Sequence, residues 1–285
     1  MKSVYRICVL TISFLCLCSA IRADWRDQIP FLIYSHKYFG PNALPIPELT
    51  DGRVGERFEV EARWEYHHYT GDKTKDFFAR LYIPVVKNRV ALEIDAVVWE
   101  HYRMTSETRN ERNAYELTSP IKYSGDIIFH TYFQLLRSDK WCDVVASMNL
   151  KTASGGRLVD ARFTDAAAYW FDVTAGKRIY EDEVSKAHIS VQGMVGFYCW
   201  MTNNAIHRQN DATHFALGAT GKLGNFTLKT DFSGVFGYRD DGDRPMVLRN
   251  NLTYEINKNG ISLRYNHGMK DRLYETYSIG YTRYF

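Results

Sequence analysis

The sequence predicts an all-β protein, a closed up-and-down antiparallel barrel of twelve strands. Three observations predict it: runs of about ten residues with alternating character, connections that alternate in length, and a last segment, YSIGYTRYF, that ends in mid-pattern. In that segment Tyr277, Ile279 and Tyr281 alternate with Ser278, Gly280 and Thr282, the period of a strand with two different faces. The bulky Phe285 at the end asks for a seat in a sheet, and a closed barrel supplies it by pairing its last strand with its first.

The strongest alternation is FEVEARWEYHHY, residues 58–69. Its even positions are Phe58, Val60, Ala62, Trp64, Tyr66 and His68, and its odd ones Glu59, Glu61, Arg63, Glu65 and His67. The strands fall at about 57–69, 76–86, 89–103, 123–136, 142–152, 166–178, 187–201, 213–222, 225–238, 246–257, 260–268 and 274–285. Ten or fourteen strands also satisfy so weak a signal per segment. The connections VKNR, RSDK, KLGN and NKNG are tight, and YEDEVSKA is somewhat longer. Between them come TGDKTKD, TSETRNERNAYELTSP, SGGRLVDARFTDA, NNAIHRQNDA, RDDGDRP and NHGMKDR. Short turns therefore gather at one rim with both termini, and long loops at the other.

Over roughly 57–285 the chain resembles a Gram-negative outer-membrane β-barrel protein, with its short periplasmic turns and longer external loops. The ending SIGYTRYF is similar to the terminal signal presented to the barrel-assembly machinery, carried here by Gly280, Tyr281 and Phe285; Arg283 departs from it, since that position is usually apolar. The resemblance implies a transmembrane barrel in the bacterial outer membrane whose apolar faces meet lipid. It implies no particular activity.

Residues 1–23 read as an export signal: Lys2 and Arg6, then the apolar run ICVLTISFLCLC, then a small residue for cleavage after Ala20 or Ala23. Losing Lys2, Arg6 and Arg22 takes the formal charge from +3 to zero, which removes the main support for a nucleic-acid partner. Beyond that signal no stretch approaches 18 consecutive apolar residues, so no transmembrane helix is expected. Two of the five cysteines remain, Cys142 and Cys199. They sit at opposite rims of non-adjacent strands, far beyond the roughly 7 Å Cα reach of a disulfide, and are expected as free thiols.

Residues 24–56 form a separate arm. Pro41, Pro45 and Pro47 in FGPNALPIPEL disfavour helix and central strand, while Phe39, Leu44 and Ile46 seek burial. The arm is expected in the lumen as a plug or across the periplasmic mouth. Aromatic belts are expected from Trp64, Tyr66, Phe77, Tyr169, Phe197, Phe236, Tyr265 and Tyr277 near the long-loop rim, and from Phe58 and Phe285 near the short-turn rim.

If the apolar faces meet lipid, the opposite faces line the interior: Glu59, Glu61, Arg63, Glu65, His67, Arg80, Glu93, Asp95, Asp126, His130, Asp143, Asp172, His188, Lys229, Asp231, Arg249, Glu255 and Arg264. Acids gather on strands one, three, four and five, and bases on the later strands. Such a set either pairs internally and blocks the lumen, or gives a pore its own field. The preferred function is a small pore or binding barrel for a polar solute, without covalent chemistry. The alternatives are a lipid-modifying enzyme with its site at the outer rim, near His68, a plugged structural or adhesive barrel, and a soluble secreted β-protein. No catalytic set is assigned, because nucleophile and base would lie on different strands. The nine histidines are scattered without HxxxH or CxxC spacing, so neither metal nor cofactor is expected.

Overall fold

The computed structural model describes residues 35–114, 121–202, 209–236 and 243–285. The segment read as an export signal, and residues 24–34, lie outside the described residues.

The strands are β1 (Glu59–Tyr69), β2 (Asp72–Val86), β3 (Val90–Met104), β4 in two pieces (Ile121–Tyr123 and Ile127–Leu136), β5 (Asp143–Lys151) and β6 (Ala168–Asp182). There follow β7 (Ala187–Met201), β8 (Gln209–Leu223), β9 (Phe226–Phe236), β10 (Met246–Ile256), β11 (Asn259–Met269) and β12 (Glu275–Tyr284). A short helix, α1 (Ser106–Glu111), lies between β3 and β4. Each strand pairs antiparallel with its sequence neighbours, and β12 closes on β1 from Glu59↔Tyr284 to His68↔Glu275. The Phe285 N–H donates to the Phe58 carbonyl at 2.9 Å, so the aromatic at the end of the chain is seated against the start of β1. The result is a closed twelve-stranded barrel with no sheet edge.

The period of two decides which side chains meet which solvent. On β1, Glu61, Arg63, Glu65 and His67 point inward and are buried, while Val60 and Trp64 are 41% and 44% exposed. The same holds around the wall: Leu92, Met148, Phe171, Val195, Leu217 and Ile279 are all exposed. A contiguous apolar surface on every strand would aggregate in water and suits a hydrocarbon environment. Trp64, Phe77, Phe197, Phe236, Tyr265 and Tyr277 are exposed on this surface, while Tyr66 and Tyr169 are half-buried. Trp64 stacks on Trp99 at 5.5 Å, and at the opposite rim Phe58 meets Phe285 at 5.3 Å. Cys142 and Cys199 are both free.

Several strands run on into the expected connections, as at Asp182 and Met269, and two connections differ in kind. TGDKTKD is mostly strand: β2 begins at Asp72, and the first outer connection is the tight pair Thr70–Gly71, with Gly71 at φ +82°. Asp72, Thr74 and Asp76 alternate inward against exposed Lys73 and Lys75, and a strand polar on both faces carries no hydrophobic period to read. The SGGRLVDARFTDA connection does not stand outside; Leu158, Ala161, Arg162 and Phe163 are buried in the barrel mouth.

The arm threads the whole lumen. Residue 35 lies at the long-loop mouth, where the Ser35 hydroxyl donates to Asp243, and the Gly40 N–H donates to the Ala161 carbonyl at 2.8 Å. Phe39, Leu44, Ile46 and Leu49 are buried as the chain descends. At the short-turn rim the Val54 N–H donates to Gln134 Oε1 at 2.8 Å and the Gly55 N–H to the Tyr82 hydroxyl at 2.7 Å.

Candidate functional site

The lumen holds a cavity of about 470 Å³ around the arm, lined from both the arm and the wall. Fourteen of the interior positions named from the sequence reach it: Glu59, Glu61, Arg63, Glu65, His67, Arg80, Glu93, Asp95, Asp126, His130, Asp172, Lys229, Arg249 and Arg264. The other four are elsewhere. Asp231 is buried against Arg249 at 3.0 Å, Asp143 pairs with Arg53 of the arm, and Glu255 pairs with Arg57 at the short-turn rim. His188 keeps the inward phase of β7 but is half-buried at the same rim, close to Lys222 across the pair.

Acids and bases divide the wall. On β1–β3 one guanidinium serves three carboxylates: Arg80 donates to Glu59 at 2.7 Å, Glu61 at 2.7 Å and Glu93 at 2.8 Å. Arg63 bridges Glu61 at 3.1 Å and Glu65 at 2.9 Å. Gly280 makes room for it, since a Cβ there would stand 3.0 Å from Arg63 Cγ and 2.4 Å from Ser262 Oγ. Tyr281 points outward, its hydroxyl donating to Asn259 at 2.7 Å.

On the opposite wall the bases grip the arm. Arg249 donates to the Ile46 carbonyl at 2.6 Å, Arg264 to Glu48 at 2.7 Å, and Lys229 to the Leu49 carbonyl at 2.6 Å, with Asp51 at 2.9 Å. On the acidic side Asn42 donates to Asp76 at 2.7 Å and to Glu100 at 2.8 Å. The arm is thus tied to both walls.

The outer end is closed by a second charged network that sequence reasoning missed. Arg162, from the connection after β5, is fully buried and donates to Asp72, to Thr74 at 2.6 Å and to Glu100 at 2.8 Å. Arg112 donates to Asp72 at 2.7 Å and to the Tyr274 hydroxyl at 2.9 Å. Asp72 and Asp76 share the inward phase of Arg80, so that phase was the available signal. Glu100 had none: a bulge at Val98, opposite Phe77 and Phe78, reverses the facing of β3 between Asp95 and Glu100.

Two histidine–carboxylate groups form across strands, where no linear spacing shows them. Glu65, His67 and Asp76, and separately Glu93, Asp95 and His130, bring potential metal-ligand atoms within 4.8 Å of one another. Both histidines are engaged at both ring nitrogens, His67 with Asp76 at 2.6 Å and Thr276 at 2.8 Å, His130 with Asp95 at 2.9 Å and Asn149 at 2.7 Å. The hydroxyl–imidazole–carboxylate order of Thr276, His67 and Asp76 has the spacing of a nucleophile with its base. Thr276 itself is buried and is not among the residues that line the cavity. His68 faces outward beside Tyr66, and among the described residues no hydroxyl or carboxylate bonds to it.

At the outer mouth, burial, reinforced by repulsion from Arg272, pushes His36 down to about 3. Its neutral form is the one the folded arm accepts, so that contact is complete above the unfolded value near 6.5 and weakens as pH falls from there toward 3. Amide exchange over residues 35–44, corrected for its intrinsic pH dependence, is expected to rise between pH 7 and pH 4, and His36→Gln is expected to flatten that rise.

A closed barrel, apolar outside and charged within, has the architecture of the outer-membrane β-barrel proteins. Solved structures agree. An outer membrane channel from Pseudomonas putida F1 is similar at TM-score 0.56 and 11% identity, over 84% of this chain and 100% of that one. The NanC porin is similar at TM-score 0.50 and 10% identity, over 79% of this chain and 98% of the porin. At these identities the likeness is one of fold. No protein-family model matches the chain, and no curated protein matches it.

Proposed function

We propose that this protein is an outer-membrane channel or binding barrel for small polar solutes, with residues 35–56 as its plug, and that it acts without covalent chemistry. The observation that carries the reading is the arm itself. It fills the lumen from mouth to mouth, yet leaves a charged cavity of about 470 Å³, within the range of roughly 300–1,000 Å³ typical of small-ligand sites. It is anchored in two ways, by hydrogen bonds and ion pairs that water can replace and by apolar contacts of Phe39, Leu44 and Ile46 with Trp170, Trp200 and Val247, so its release has to expose that apolar surface as well. The likeness to an outer membrane channel supports the same reading. Export through the signal at residues 1–23, and delivery to the assembly machinery through Gly280, Tyr281 and Phe285, belong to this proposal.

The test is conductance in a planar bilayer, with and without residues 24–56. The full chain is expected to be nearly silent and the truncated barrel to give discrete, ion-selective steps. Silence from a truncated barrel that still shows heat-modifiable mobility on gels would remove the channel and leave a structural or adhesive barrel.

A further inference from the structure

We infer that the solute is a cation, and that the cavity wall built by β3–β6 is a subsite for a small organic ammonium. The inference rests on the channel or binding-barrel reading and names the chemistry of its solute. Three observations lead to it.

The first is charge balance. The cavity-facing wall of β1–β6 carries Glu59, Glu61, Glu65, Glu93, Asp95 and Asp172 against two guanidinia, Arg63 and Arg80; Asp126 is matched separately by Lys151 at 2.6 Å. Six carboxylates less two guanidinia leave four in excess, and protonating both His67 and His130 would still leave two. On the other wall Lys229, Arg249 and Arg264 are answered by Asp231 and by Glu48 and Asp51 of the arm. Arg53 is answered by Asp143, and Arg272, which donates to the Pro41 carbonyl, offsets one of the four, so with the arm in place the lining keeps an excess of three carboxylates, or of one with both histidines protonated. Uncompensated carboxylates in a confined space favour a mobile cation beside them.

The second is Asp172. It is 5% exposed and lies on the cavity wall, and its described partners are neutral: Ser147 donates to Oδ2 at 2.6 Å and Asn149 at 3.3 Å. Among the described residues Oδ1 accepts no hydrogen bond, although the carboxylate is held in place through Oδ2. The third is its setting. Asn149 Oδ1 also accepts from His130 Nδ1, which links Asp172 to Asp95 through one hydrogen-bonded row. The rings of Tyr132 and Trp170 flank that row, His130 lying 6.1 Å from the first and 5.8 Å from the second, and both line the cavity. Carboxylates beside aromatic rings form the surroundings that an alkylammonium prefers.

The test uses the full-length protein in detergent and putrescine as the probe, followed by titration calorimetry. Saturable binding of putrescine is expected, with none of its neutral analogue 1,4-butanediol and none of succinate. Asp172→Asn keeps the shape and the Ser147 contact and is expected to weaken putrescine about tenfold or more, the weight of one charge-assisted hydrogen bond. Asp95→Asn is the second variant, and heat-modifiable mobility reports that each barrel is folded. Failure of putrescine to bind, equal binding by both folded variants, or binding of succinate would overturn the inference. The channel reading fails separately: Asp172-dependent putrescine binding by a barrel that stays silent after truncation keeps the cation site and removes the channel. Anion-selective steps from the truncated barrel, with no putrescine bound by the full chain, do the reverse.

Discussion

Replacing Arg162 with alanine is expected to destabilise the barrel by about 3–5 kcal/mol, the cost of removing one partner from a buried ion pair. Arg162 is fully buried, as are Asp72 and Glu100, and its guanidinium lies 4.4 Å from the Tyr102 ring. The two acids do not lose equally. Asp72 keeps Arg112 at 2.7 Å and the Tyr274 hydroxyl at 2.7 Å, whereas among the described residues Glu100 keeps only the neutral donors Asn42 and Tyr123. The stranded charge is therefore Glu100. Equilibrium unfolding in urea from detergent or lipid measures the effect. Glu100→Gln added to Arg162→Ala is expected to recover part of the loss, because it removes that charge. Arg162→Lys is expected to recover less than half, since a point charge cannot reach Asp72, Thr74 and Glu100 as the planar fork does. Simple additivity in the double variant would show that packing, not charge, holds the mouth closed.

How much of this was legible follows from which signals are local. The twelve strands, the closure of β12 on β1 and the inward phase of β1 are written as a period of two that each residue carries by itself. The interior charges of β3 are legible up to Asp95 and lost at Val98, because one bulged residue reverses every later side chain and leaves no mark in composition. Asp72 and Asp76 were hidden for a different reason: above the apolar band a strand alternates polar with polar. The pairing of Asp95 with His130, and of Ser147 with Asp172, depends on register between strands, which turn lengths set only to within a residue or two. Arg162 was read as part of an exposed loop. Leu158 and Phe163 beside it, two large apolar residues in an otherwise polar connection, were the available sign that the loop turns inward.

Replacing Gly176 with valine is expected to open the channel without shortening the chain. Gly176 faces inward on β6, where a Cβ would stand 2.2 Å from the Asp51 carbonyl oxygen of the arm. Gly52 meets it from the other side, at φ +77°, with its own Cβ direction leading to 2.6 Å from the Gly176 nitrogen. Two backbones are therefore in contact, and no side-chain rotation relieves the clash. Overpacking costs about 1–3 kcal/mol even where neighbours yield, and each 1.4 kcal/mol lowers the seated fraction of the arm about tenfold. The strand itself should tolerate the change, since valine is favoured in β structure and Gly176 keeps its pairing to Asp143 and Gln192. With the contact broken, the adjoining ties go as well: Arg53 to Asp143, and Gln134 to the Gly52 carbonyl at 2.9 Å and to the Val54 N–H. Single-channel steps from full-length Gly176→Val are expected to approach those of the barrel lacking residues 24–56. Gly221→Val, where a Cβ meets nothing within 4 Å, is expected to stay as silent as the parent. Equal silence from both valine variants would show that the arm holds its place without this contact, and that the bases on β9–β11 alone are enough to seat it.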